Sequence, residues 1–155
     1  MNKFVVLALA ALVLPLAAQD ASKVIYYSAP RMMADLNKAP ANNLGESEIN
    51  LIDHVPDQHA AILLRRTKPG KAEVHTSEAD VWYILNGGCV LQVGGTEVGG
   101  KEESPGQIRG SSISGGTEYK LAKGDVIRIP HGVPHWVKKI EGGELVYIVV
   151  KYEDK

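Results

Sequence analysis

The sequence predicts an all-β fold, a sandwich or barrel of short antiparallel strands preceded by one short helix. Three observations carry this. Short runs rich in Val, Ile, Leu and Tyr, many alternating with polar residues, recur from Glu48 to Tyr152. Fourteen of the sixteen glycines lie between Gly87 and Gly143, several as pairs, the mark of tight turns between short strands. No helix-length segment separates the later strands, which argues against a parallel sheet.

The chain has 155 residues, enough for one core. Lys3 makes the start positive, Phe4 to Ala18 is apolar with Pro15 near its end, and QDASK follows. That is the pattern of a secretory signal, with cleavage expected after Ala18. The alternative is an amino-terminal membrane anchor, against which Pro15 and the shortness of the run count. The chain therefore divides into a signal peptide (1-18), an N-terminal strand/helix extension (19-48) and a barrel domain (49-155). The expected location is periplasmic or secreted, with no membrane attachment after cleavage.

Cys89 is the only cysteine, so export comes without an intramolecular disulfide and the fold must rest on burial. Removing Lys3 with the signal takes the basic residues from 17 to 16, against 18 acidic ones, a net charge of -2. There is no basic stripe, so nucleic acid is not an expected partner.

Taken in order, KVIYYS (Lys23 to Ser28) reads as a strand, and Ser28 caps a short helix packed through Met32, Met33 and Leu36. A loop, APANNLGE, leads to the strands EINLIDHV, HAAILLRRT, AEVH, DVWYILNG and CVLQVGG. Gly87-Gly88 reads as a turn between the last two, with Cys89 beyond it as a buried thiol. Residues 95–116 are polar and turn-rich, a long loop or an extended hairpin at a rim. EYKL, DVIRIP, HWVKKI and ELVYIVVKY complete the strands.

The chemistry begins at AEVH. Glu73 and His75 are two apart, so in a strand they share a face. Thr76 to Ala79, Glu78 among them, read as a turn, and Asp80 then opens the next strand on one face with Trp82 and Ile84. Read as a hairpin, this presents an acid, an imidazole and a second acid at one end of a sheet. Such neighbours are unfavourable unless something positive sits among them. A divalent cation would serve, with a further ligand from elsewhere. GDVIRIPHGVPHW, Gly124 to Trp136, is the expected source. A strand enters a Pro-Gly-Pro turn, and the prolines set where His135 points.

Here the chain resembles the cupins. Gly124, Pro130, Gly132 and His135 match the second motif of that family position for position. Against its first motif, His75 falls on the second histidine, Asp80 on the acidic ligand and Gly87 on the closing glycine. Glu73 stands where the family has its first histidine, Asp80 replaces the usual glutamate, and Lys139 takes the place of a frequent asparagine. Gly70 lies too near Glu73 to be the first motif's opening glycine. The resemblance spans about Ile49 to Tyr152 and implies a double-stranded antiparallel barrel of jelly-roll type with one metal inside. The implied ligands are Glu73, His75, Asp80 and His135, two nitrogens and two oxygens. Such a set suits Fe, Mn, Zn or Ni. The alternative is a barrel without metal, these groups bonded to one another or to water.

Other residues have two readings each. Glu73, if not a ligand, is placed as a general base. His131 either touches a substrate or faces solvent in its turn. Trp82 and Tyr147 either line a pocket or belong to the core. Arg65, Arg66 and Arg128 attract an anionic substrate only if they face inward, and alternation places Arg128 outward. His54 and His59 read as surface residues.

Three functions remain: a metal-dependent oxygenase, isomerase or lyase acting on a small organic molecule; a non-catalytic barrel binding a sugar or organic acid; and a structural protein pairing through an edge strand. A homodimer is compatible with all three.

Overall fold

The computed structural model describes residues 24–53 and 59–154. The apolar run assigned to a signal peptide and His54 lie outside the described residues. Among the described residues there is one helix, α1 (Ala29–Lys38), and there are eleven strands. These are β1 (Glu46–Ile52), β2 (Ala60–Arg66), β3 (Ala72–His75), β4 (Glu78–Val93), β5 (Thr96–Val98), β6 (Lys101–Ser104), β7 (Gln107–Gly110), β8 (Ser112–Ser114), β9 (Thr117–Ala122), β10 (Val126–Ile129) and β11 (His135–Glu153). They form a curled antiparallel half-barrel of nine strands with a two-stranded ribbon, β5–β8, beside it. The all-β, jelly-roll expectation with a short helix holds. No helix among the described residues is long and apolar enough to cross a membrane.

The two long strands organise the rest. From Leu145 to Lys151, β11 lies between β2 and β4; at its start, His135 pairs with Glu73 of β3 and with Val93 of β4. Alternation along these strands feeds two apolar layers. Leu64, Trp82, Ile84, Leu145, Tyr147 and Val149 point into the barrel. Leu63 and Val146, their neighbours in sequence, point outward and are covered by Leu36 of α1. That helix starts where expected: Ser28 Oγ accepts from the Arg31 amide at 3.4 Å, and a proline sits in the first turn.

Four local expectations need correction or resolution. Val24 to Ser28 form no strand, and Val24, Ile25 and Tyr26 are exposed. β-propensity needs a partner strand to act on, and this run pairs with none that is described. Gly87-Gly88 is not a turn either. β4 runs straight through it, opposite an interruption in β11 where Glu141 pairs with Gly88 and Leu145 already pairs with Gly87. The three residues between bulge out, and Gly87, at φ +70°, lets the strands close around the bulge. A side chain there would place its Cβ 1.8 Å from the Glu144 carbonyl oxygen.

β3 and β4 do not form a hairpin. β3 pairs with β7 and β11, β4 with β9, β10 and β11, and the bend at Thr76-Ser77 passes the chain from one set to the other. Residues 95–116 prove to be the extended hairpin: β6 pairs with β7, β5 with β8, and β7 also docks along β3. That docking brings a segment without apolar pattern against the strand that carries Glu73 and His75.

Candidate metal centre

The strands bring Glu73, His75, Asp80 and His135 together inside the barrel. His75, Asp80 and His135 are each 2–3 % exposed. Glu73, His75 and His135 each offer a ligand atom, all three within 4.8 Å of one another, a grouping that could hold a metal. Asp80 borders it, with Oδ2 3.5 Å from His75 Nε2 and 3.8 Å from His135 Nε2.

Each imidazole is oriented by what its other nitrogen does. His135 Nδ1 donates to the Val133 carbonyl at 3.1 Å, inside the Pro130–Pro134 turn. Gly132, at φ +70°, donates its amide to the His75 carbonyl at 2.7 Å and so ties that turn to the end of β3. His135 Nε2 is then left buried with its lone pair facing the cluster and no hydrogen-bond partner among the described residues. Buried polar atoms are rarely left so, and a lone pair of this kind is what a metal accepts. Trp82 packs edge-on to the ring at 5.9 Å.

His75 Nδ1 lies 2.6 Å from Gln107 Oε1. Gln107 donates its amide nitrogen to Glu78 at 3.0 Å and accepts from Arg109 at 3.2 Å, which fixes its oxygen toward the imidazole. His75 Nδ1 therefore carries the proton and Nε2 presents a lone pair to the interior. Two histidine lone pairs and a carboxylate converging in a buried space fit a divalent ion.

The positive charge the two acids require is already supplied in part by the chain. Arg66, 6 % exposed, donates to Glu73 at 2.9 Å, to the Tyr147 hydroxyl at 2.8 Å, and to Glu46. Arg109 reaches the other oxygen of Glu73 at 3.2 Å. Lys151 donates to Asp80 Oδ1 at 2.7 Å and to His75 Nε2 at 3.0 Å, and Trp82 Nε1 donates to Asp80 Oδ2 at 3.2 Å. Burial would raise the pKa of Glu73, but Arg66, with His135, Arg109 and His75, lowers it to about 2. Burial works the same way on Asp80 and is overcome by its contact with His75 and the charge of Lys151, so it stays ionised well below the usual carboxylate range. A carboxylate held at about 2 is a poor proton acceptor near neutral pH, which favours Glu73 as a ligand over Glu73 as a base.

The remaining candidates are placed as follows. Tyr147 and Trp82 are buried core rings, 4.6 Å apart, beneath the cluster. His131 is half-exposed in its turn and faces Asp154 at 3.4 Å, away from the cluster. Arg128 lies outward on Tyr152 and Asp154, and Arg65 on Asn37 and Glu144, so only Arg66 of the three turns inward. Sequence reasoning missed Gln107, Arg109 and Lys151. For Lys151 a signal existed: Tyr147, Val149 and Lys151 alternate onto one face. Beside the cluster a cavity of about 260 Å3 is lined by Glu73, Arg66, Arg109 and Lys151, with Ile62, Leu64 and Val149 as its apolar part.

No protein-family model matches the chain, and no curated protein matches it by sequence. Solved structures do match. The Cnp3 cupin domain of Schizosaccharomyces pombe superposes with a TM-score of 0.58 at 15% identity, over 85% of this chain and 76% of that one. A putative sugar phosphate isomerase from Acidithiobacillus ferrooxidans gives 0.57 at 17% identity, over 82% and 74%. A recombinant oxalate oxidase in complex with glycolate gives 0.53 at 13% identity, over 89% and 62%. The likeness is one of fold, and the fold is the cupin barrel.

Proposed function

We propose that the chain binds one divalent metal ion through His75, His135 and Glu73, with Asp80 at its border, and uses it on a small organic molecule admitted through the adjoining cavity. The observation that carries this is the buried, unpartnered Nε2 of His135, aimed at the same space as His75 Nε2 and the Glu73 carboxylate. Fe, Mn, Zn and Ni all suit two nitrogens with carboxylate oxygen. When bound, such an ion polarises an oxygen of the substrate or lowers the pKa of a water.

The chain's own residues do the rest. Gln107 and Val133 hold the imidazoles in the tautomers that present Nε2 inward, and Arg66 and Arg109 keep Glu73 ionised and in place. The cavity, near the lower end of ligand-pocket sizes of roughly 300 Å3, admits a small molecule only. Its lining mixes Arg and Lys with Glu, suiting a ligand that both donates and accepts hydrogen bonds. Reaction types compatible with this are oxygenation, isomerisation and lyase chemistry, and two of the similar barrels carry enzyme names, an isomerase and an oxidase. A second reading is a non-catalytic barrel that binds a sugar or organic acid, to which the polar cavity lends support. Export to the periplasm or the medium, and assembly as a homodimer, belong to the same proposal.

Metal content of protein purified without chelator, followed by titration with Fe, Mn, Zn and Ni, tests the central point. About one ion per chain is expected in the wild type and a loss of binding of at least tenfold in both His75→Ala and His135→Ala. A wild type that takes up none of the four ions defeats the proposal. For export, the mature amino terminus is expected near Gln19; a secreted or periplasmic form that still begins at Met1 would refute it.

A further inference from the structure

We propose that Lys151 is a built-in competitor of the metal ion, an internal cation that occupies the centre until an ion displaces it. This rests on the metal-binding reading above and adds a residue that weakens it. Lys151 Nζ lies 3.0 Å from His75 Nε2 and 2.7 Å from Asp80 Oδ1. A neutral imidazole has one acceptor nitrogen with one lone pair, and Nδ1 of His75 is already committed as a donor to Gln107. The lone pair on Nε2 can therefore serve the ammonium or a metal, not both. A metal–nitrogen bond needs about 2.0–2.1 Å, and an ammonium left in contact with the same nitrogen would stand against the incoming ion as a like charge.

Charge leads to the same conclusion. Three cationic side chains, Arg66, Arg109 and Lys151, face three carboxylates, Glu46, Glu73 and Asp80. These six pair one for one before any ion arrives, and a divalent ion would add two charges beside the ammonium of Lys151. The arginines are held at several points each, whereas Lys151 is a flexible side chain with somewhere to go. It is 17% exposed and lines two hollows, the cavity beside Glu73 and a neighbouring one that Glu78 and Gln107 also line. On displacement the ammonium swings into one of these, where it is placed to meet an oxygen of a bound substrate. Lys151 thus sets a threshold for metal loading and couples loading to the charge of the cavity.

The test is calorimetric titration of chelator-stripped protein with Mn and with Zn, comparing wild type, Lys151→Met and Lys151→Gln, each checked for native near-ultraviolet dichroism. Both variants are expected to bind at least tenfold more tightly than wild type; if one does not fold, the other carries the comparison. In parallel, labelling of the wild type with an amine-reactive reagent, read by mass spectrometry, is expected to rise at Lys151 when metal is added. Equal or weaker affinity in the folded variants, or unchanged labelling of Lys151 on metal loading, overturns the inference and leaves the metal site standing. Absence of binding in all three proteins overturns both.

Discussion

Arg66 donates to three acceptors at once, Glu46, Glu73 and Tyr147, from a position with almost no access to solvent. Removing it takes a donor from two carboxylates and a hydroxyl at once, leaving Glu73 to Arg109 and Glu46 to Asn42, and breaking a buried ionic cluster from one side costs about 3 kcal/mol or more. Arg66→Met should lower the unfolding free energy read from a urea titration by that much, whereas Arg128→Met, which breaks an exposed pair, should leave the urea midpoint close to that of the wild type. Similar midpoints for the two variants would contradict the account. At this scale much of the site was legible. Glu73, His75 and Asp80 follow from spacing and alternation, and His135 from its proline-fixed turn. What could not be read was the counter-charge. Arg66 sits in a run, AAILLRR, where both arginines look alike, and only the pairing of β2 with β1 and β11 decides that Arg66 turns in and Arg65 out. Gln107 and Arg109 belong to a stretch without apolar pattern, so nothing local says that it docks on β3.

Among the elements, the bulge facing Gly87 bends the long β4–β11 pair. Gly87→Ala combines a left-handed backbone with a collision against the Glu144 carbonyl, which cannot move aside as a side-chain tip would. About 2 kcal/mol or more of stability should be lost, against about 1 kcal/mol for Gly142→Ala, where the backbone is also left-handed but nothing lies within 4 Å. Equal losses would show that conformation alone matters at both positions. The existence of β1 to β4 and β9 to β11 was legible from their apolar runs and alternation, whereas β5 to β8 lie in a polar segment whose pattern assigned no strand and Val24 to Ser28 resembled one without forming it. The connections were not legible. A glycine pair between apolar runs has the same local appearance in a turn and in a bulge, and what separates them is a partner strand some fifty residues away. The same limit hid the corner at Thr76-Ser77, since a short polar gap suits a hairpin as well as a change of sheet.

For the molecule as a whole, the cluster ties stability to pH. Glu73 and Asp80 have folded-state pKa values below their unfolded ones, so the stability they confer is fully present above about pH 5 and is lost as pH falls through 4 toward 2. The depression of Glu73 from 4.5 to about 2 corresponds to on the order of 3 kcal/mol. Metal-free protein should unfold at lower urea concentration at pH 3 than at pH 6, and Glu73→Gln should shrink that difference. A difference undiminished in Glu73→Gln would place the acid sensitivity elsewhere.

β11 brings His135 with its first residue and Lys151 near its last, and it zips β2 to β4 in between. During synthesis it emerges after the other described strands, so β2 and β4 wait for their shared partner while β3 and β4 already carry Glu73, His75 and Asp80. A nascent chain therefore carries Glu73, His75 and Asp80 without His135, and the histidine that completes the cluster arrives together with Lys151. On the metal-binding reading proposed above, the centre is complete only once β11 is in place, after the other strands of the barrel have been made.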